Sequence, residues 1–283
     1  MRNQLVGNCH YSQYTVSELA DLREVEVPEP SRHRLNRTDP KAHESKWMGG
    51  ITSWEAAESV LNHGWADGAS RALGLQGQLT AQLPKIERRR RKAAYGRKGR
   101  LVTDRALKGQ WDIAYRSHRR ITVAGHKRNI TLNVGWGGNC HLTAEKLFWS
   151  GATMLVLAHT LTAAGYNVKL AAVAKTASNA RYGKVVVKRV VIKDHGEPLR
   201  PDALAGIVCH AGIYRSFGFL ASLHSPWDIG DGLGRNIPWE DLKRAQGDHG
   251  TPEWWEAGII VKDCYSEWEA IREIERVLAA VTA

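Results

Sequence analysis

The alternation of hydrophobic and polar positions is clearest between residues 119 and 169. Ile130, Leu132 and Val134 alternate with polar neighbours, a turn rich in glycine follows (Gly135, Gly137, Gly138), and an apolar stretch runs from Thr143 to Ala164 before Gly165. A period of two predicts a strand and a period near 3.6 a helix. The stretch therefore reads as a strand, a turn and a helix, leading into a second strand at 166–174. Leu147, Phe148, Ala152, Leu155, Val156, Ala158 and Leu161 surround the helix, so it is expected to be buried, with His159 as a core histidine. An open α/β sheet carries its sites at the turn after such a strand.

The same reading extends outward. Residues 1–46 mix prolines with charge and predict an N-terminal arm with one short helix near 17–23. Thr52-Ser53-Trp54-Glu55 is a capping box that starts a helix stopped by Gly64. A second helix from Asp67 carries Leu73, Leu75, Leu79 and Leu83. Residues 47–118 thus form a helical region, with Trp111 as the anchor of a short helix. Strands are expected at 121–124, 129–134, 166–174 and 184–193. The turn-rich 176–183 predicts a hairpin whose second strand is an edge with its lysines in water. A helix begins after Pro201, an insert rich in Gly, Pro and Trp spans 225–255, and residues 258–262 make the last strand. Ser266-Glu267-Trp268-Glu269 caps the closing helix. The expected sheet order is edge strand, second strand, central strand, last strand, which makes 119–283 one α/β domain.

Charge changes this picture. The chain of 283 residues carries a net +11, but residues 85–128 hold 16 Lys+Arg against 3 Asp+Glu, leaving 24 against 26 elsewhere. The basicity belongs to one segment, and that is a statement about partners more than about fold. Arg88, Arg89, Arg90, Arg91, Lys92, Arg97, Lys98 and Arg100 are candidate phosphate ligands, with Tyr95 available for stacking. A solvated helix end followed by a loop is the bland alternative. Four cysteines without a C-x-x-C spacing argue against a disulfide framework and a zinc module. Cys9, Cys140 and Cys209 each precede a histidine, but neighbours on a strand face opposite ways, so no metal and no cofactor are expected. No apolar run reaches the roughly 20 residues of a membrane helix, and the expected location is a host cytoplasm or a virion.

The order of elements from Arg119 to Ala283 resembles the von Willebrand factor A domain, a Rossmann-like open sheet. In that family an Asp-x-Ser-x-Ser after the first strand holds magnesium. The matching positions here are Asn133-Val134-Gly135-Trp136-Gly137, which lack the hard anionic oxygens magnesium requires. The whole chain also resembles uncharacterised phage and prophage proteins. The matching pieces are Trp47-Met48-Gly49-Gly50, Ser53-Trp54-Glu55-Ala56, Gly64-Trp65-Ala66-Asp67-Gly68, Asp104 to Trp111, and Gly165-Tyr166. That resemblance implies a phage origin and lends no activity.

Gly135-Trp136-Gly137-Gly138 half-matches a dinucleotide fingerprint, but the tryptophan obstructs a pyrophosphate and Lys175 stands where the acidic residue belongs. The reading that follows is a non-enzymatic binding or assembly protein whose basic segment meets nucleic acid or an acidic protein surface. The alternatives are a virion-associated structural protein with an assembly partner, and a hydrolase at the rim of the sheet. The rim candidates are Asn133, Gly135, Gly137, Asn139, His141, Asp263 and Tyr265, with Cys264 between the last two.

Overall fold

The computed structural model describes residues 1–79, 87–124, 128–177, 184–227, 233 and 236–282, and for 87–92, 119–124, 248 and 282 the backbone only. The expected Leu83, the basic Lys85 and Lys127, the turn at 178–183 and most of 228–235 lie outside the described residues.

The chain begins with a hairpin, β1 (Arg2–Val6) and β2 (Cys9–Thr15), followed by helices α1 (Val16–Asp21), α2 (Glu29–Arg32), α3 (Trp54–His63) and α4 (Ala66–Leu73). Next come β3 (Glu87–Gly96), β4 (Arg100–Leu101), α5 (Thr103–Leu107) and β5 (Tyr115–Ala124). The α/β part holds β6 (Asn129–Gly135), α6 (Ala144–Ala163), β7 (Asn167–Ala177), β8 (Val185–Lys193) and α7 (Pro201–Val208). It closes with α8 (Ala211–Ile213), a π turn, α9 (Phe219–Leu223), α10 (Trp239–Gln246), β9 (Ile259–Val261) and α11 (Glu267–Thr282). Two sheets result, one of six strands in the order β1-β2-β8-β7-β6-β9 and one of three in the order β3-β5-β4.

The expected order, from β8 through β7 and β6 to β9, is present, but β8 is no edge. β2 pairs parallel to it over seven residues and β1 continues the sheet. Residues 1–46 therefore contribute strands to the sheet. The lysines of β8 face inward: Lys188 and Arg189 are fully buried, and Lys193 nearly so. Each finds a neutral oxygen, Lys188 on Ser12, Arg189 on Gln13 and Lys193 on the Val168 carbonyl at 2.6 Å. The edges of the sheet are β1 and β9, and side chains of α11 blunt β9. Arg276 donates to the Ile260 carbonyl and Glu273 accepts from the Lys262 amide, so no row of open backbone groups remains there for another strand.

One sheet face carries Leu132, Val134, Leu170, Ala172, Val186 and Val190 and buries α6, as its all-round apolar sequence requires. Thr143 caps this helix by accepting from the Lys146 amide, Ser53 caps α3, and Ser266 accepts from the Glu269 amide ahead of α11. His159 meets Gln76 at 2.7 Å beside the core. The other face carries Cys9, Tyr11, Val173, Val185 and Val187, and the segment 236–256 covers it through Ile237, Trp239, Leu242, Trp254 and Trp255. The tryptophan-rich insert is thus the second layer of the core. Among the described residues no single helix is long and apolar enough to cross a membrane.

Tyr11 joins the N-terminal strand to this layer, edge-on to Trp255 at 5.4 Å and accepting a hydrogen bond from Gln246. Tyr11→Ala is expected to cost about 3–5 kcal/mol by urea unfolding; a loss under about 1 kcal/mol would detach β2 from the core. A second expectation concerns acid. Burial pushes His10 down to about 4, with Lys188 adding repulsion, and burial alone pushes His210 down to about 4. His210 accepts from the Gly212 amide through Nδ1, which protonation would abolish. The unfolded chain binds these protons more tightly, so stability falls as pH drops from 6.5 towards 4. At about pH 5 the two together should remove roughly 4 kcal/mol relative to pH 7. Urea midpoints that coincide at the two pH values would refute the assignment.

Candidate functional site

The carboxyl ends of β6 and β9 lie side by side, where an open α/β sheet forms its binding crevice. Asp263 follows β9, and its carboxylate rests against Gly135, the last residue of β6. A Cβ at position 135 would coincide with Asp263 Oδ1. Two residues on, Gly137 has φ +129° and packs against the Tyr214 ring, so position 137 also requires glycine. The next strand supplies Lys175, whose ammonium lies 4.0 Å from Asp263 Oδ2 and 4.0 Å above the Trp239 ring. Asn236 bridges to Thr176 and donates to Asp263 Oδ2 at 2.9 Å, while the Ile237 amide donates to the Lys175 carbonyl. These contacts hold the start of α10 over the strand ends.

Burial dominates the electrostatics. It pushes Asp263 up, against the pull of Lys175 and Asn236, and pushes Lys175 down, against Asp263 and Glu240. Both shifts favour the neutral forms, as expected for a close pair removed from water. Tyr265, beside Asp263 and Asn236, is raised by burial first and by the Asp263 charge second. Lys175 Nζ, Asp263 Oδ1, Asn236 Oδ1 and Trp239 Nε1 have no hydrogen-bonding partner among the described residues. A cleft of about 680 Å³ opens beside them between α10 and β9, lined by Asn139, Asn236, Trp239, Lys243, Asp263 and Tyr265 among others.

Of the rim residues expected from sequence, Gly135, Asn139, Asp263 and Tyr265 come together here, and Gly137 supports them. His141 is exposed and does not line the cleft. Asn133 is buried inside β6 and donates to the Glu256 carbonyl at 3.4 Å. It belongs to another polar group around Glu256, where burial opposes ionisation. Hydrogen bonds from Lys169, Thr131 and His195 outweigh that burial and hold the carboxyl at about 2. Among the described residues no three His, Cys, Asp or Glu side chains are placed to share a metal ion. Lys175, Asn236 and Trp239 were absent from the sequence-derived rim. Lys175 at the end of the strand beside β6 was the available signal.

The basic segment lies elsewhere, in the three-stranded sheet. Arg88 to Lys92 run along β3 as a strand, in place of the helix end and loop of the bland reading. The register sets Arg91 opposite Arg120 and Lys92 opposite Arg119. Their side chains are outside the described residues. Arg97, Lys98 and Arg100 are exposed, and Arg97 pairs with Asp112 at 2.5 Å in a fully wet geometry worth little. Among the described side chains from 93 to 118 only Ala106 and Ala114 are buried. Tyr95, Leu101, Leu107, Trp111 and Ile113 are exposed, Trp111 to 59%. The expected anchor is therefore mostly exposed, in place of a buried position. Arg105 stacks on Tyr95 at 3.7 Å and reaches the Ile113 carbonyl, which gathers these residues at one end of the sheet.

A model of DUF7192, a domain of unknown function, matches residues 10–281, from β2 through the basic sheet to α11. The chain belongs to the DUF7192 family. No curated protein and no solved structure matches it. In this DUF7192 domain the crevice depends on the close approach at Gly135. Gly135→Ala should destabilise by about 1–3 kcal/mol through overpacking. Combining it with Asp263→Ala should recover most of that loss, since the two atoms in conflict are then one. An equal cost of Gly135→Ala in both backgrounds, by urea unfolding, would show that the carboxylate is not the constraint.

Proposed function

We propose that this protein is a non-enzymatic binding protein whose three-stranded sheet engages nucleic acid through its phosphates. The observation that carries the reading is the pairing of β3 with β5. It lays the basic segment along ten residues of antiparallel strand, about 30 Å at ~3.4 Å per residue. A charged edge strand is also a device against sheet-to-sheet aggregation. That account leaves the exposed tyrosine, tryptophan and leucines unexplained, because a protected edge needs no apolar surface. Among the described side chains from 93 to 118 only Ala106 and Ala114 are buried, and a sheet of three strands needs an apolar face for independent stability, which a bound partner would help to cover. An anionic partner suits the charge, and the choice of nucleic acid over an acidic protein rests on the aromatic side chains.

The finer reading of 119–283 as a von Willebrand factor A-like domain is part of the proposal. It is supported by β8 running antiparallel beside the parallel β7, β6 and β9. In that reading the metal position is lost, since Asn133 is committed to the Glu256 carbonyl and positions 135 and 137 carry no side chain. The domain then serves as a frame that holds the basic sheet, in an assembly of phage origin.

Binding should be tight at low salt and fall steeply as salt rises, with a log–log slope near −0.7 to −0.9 per phosphate neutralised. Replacing Arg88, Arg89, Arg90 and Arg91 together by Ala should reduce that slope by about 3 and weaken binding by at least tenfold in a fluorescence-anisotropy titration. An unchanged affinity and slope would exclude the sheet as the interface.

A further inference from the structure

We infer that the strand ends Gly96, Leu101 and Tyr115 and the turn Trp111–Ile113 form a base-stacking platform, so that the partner of the basic sheet is single-stranded nucleic acid. The inference rests on the nucleic-acid reading above and narrows it to a class of strand. Phosphate neutralisation along β3 and β5 does not distinguish a single strand from a duplex, and charge alone prefers the duplex with its denser phosphates. What distinguishes them is access to the faces of the bases, which a duplex hides in its stack and a single strand presents.

Trp111 supplies such a face. It sits in the turn before β5, exposed to 59%, and the end of that turn is tied by the Val102 amide, which donates to the Ala114 carbonyl at 2.7 Å. The turn therefore holds its position on the sheet while more than half of the tryptophan is open to solvent. Tyr95 ends the basic run of β3 and lies opposite Arg116 in the register. One of its faces is taken by the Arg105 guanidinium, which also bonds the Ile113 carbonyl. The guanidinium thus lies over the tyrosine with one N–H directed to the turn that carries Trp111. Arg planes and indole rings both stack on bases irrespective of sequence. Leu101, Leu107 and Ile113 add aliphatic surface for sugars and base edges around them. Phosphates tracking along β3 would thus arrive at aromatic faces at its end.

The 283-residue protein is titrated against a labelled thymidine oligonucleotide of about 12 nucleotides, within the range of about 4–16 that small single-strand folds occupy. A duplex of the same length is the comparison, and an oligouridine assigns the sugar. The expected result is tighter binding of the single strands than of the duplex at equal salt. Trp111→Ala should weaken single-strand binding about 5- to 100-fold, change duplex binding less than twofold, and leave the salt slope intact. Trp111→Phe, which keeps a ring, should retain most of the affinity. Because Trp111 is exposed, circular dichroism of the variants should match the parent. A preference for duplex, or a loss from Trp111→Ala that is equal for both forms or absent, would overturn the platform while the phosphate interface stands. No binding of any of the three at low salt would remove the nucleic-acid reading itself.

Discussion

The carboxylate of Asp263 lies on the backbone of Gly135, and the order of the α/β part depends on that contact. It sets the carboxylate after β9 where a side chain at the end of β6 would stand, possible only where there is no Cβ. Asp263 in turn orients Asn236, and residues 236 and 237 are sewn to the end of β7 by the Thr176 bridge and the Lys175 carbonyl. From that fixed point α10 descends across the second face of the sheet, with Trp239 over the Lys175 ammonium. The same acid therefore lines the crevice and positions the layer that buries Tyr11, Val173 and Val187. It does so while its own ionisation is disfavoured, so the pair with Lys175 is a polar junction whose value lies in placement more than in Coulomb energy.

Covering both faces also explains the inward lysines. A strand such as β8, between β2 and β7, has no solvent side, and its cations must find oxygen or lose their charge. Lys188 has the Ser12 hydroxyl and, at 5.9 Å, the Tyr14 ring, and burial pushes it down to about 7. Lys193 reaches two carbonyls at the end of the strand, which is a less costly place for a long side chain. The N-terminal strands are thus part of the structure that makes these buried positions.

Much of the central unit was legible because its signals are local. The alternation in β6, the hydroxyl before α6, the all-round apolar helix and the stop at Gly165 each act within a few residues. The strand order followed from short connections between neighbours. What escaped was long-range. Cys9 to Thr15 carries no strong apolar alternation, and it pairs with a strand more than 170 residues away. One local clue was present, because Thr15-Val16-Ser17-Glu18 makes a capping box that starts α1 directly after β2. β8 looked like an edge because its charges were read without the strand that covers it. The arginines of β3 have no hydrophobic period, so pattern alone could not separate strand from loop. At the crevice, glycines 135 and 137 were legible as positions of close approach. Asn236 and Trp239 were not, since an irregular segment acquires its place only through contacts with distant strands.

Charge and stability are held in different parts of the molecule. The body outside 85–128 carries 24 basic against 26 acidic residues, close to balance, and its core spans both faces of a six-stranded sheet. The basic sheet carries nearly all the excess charge and buries only Ala106 and Ala114 among its described side chains from 93 to 118. Crowded cations destabilise whatever compact structure contains them, and placing them on strands that pack mainly on one another keeps that cost out of the main core. The contacts that build the crevice at Asp263 come, among the described residues, from β6, β7, the segment 236–239 and the end of β9. A single chain can then carry a strongly cationic surface on a frame whose own fold is indifferent to it.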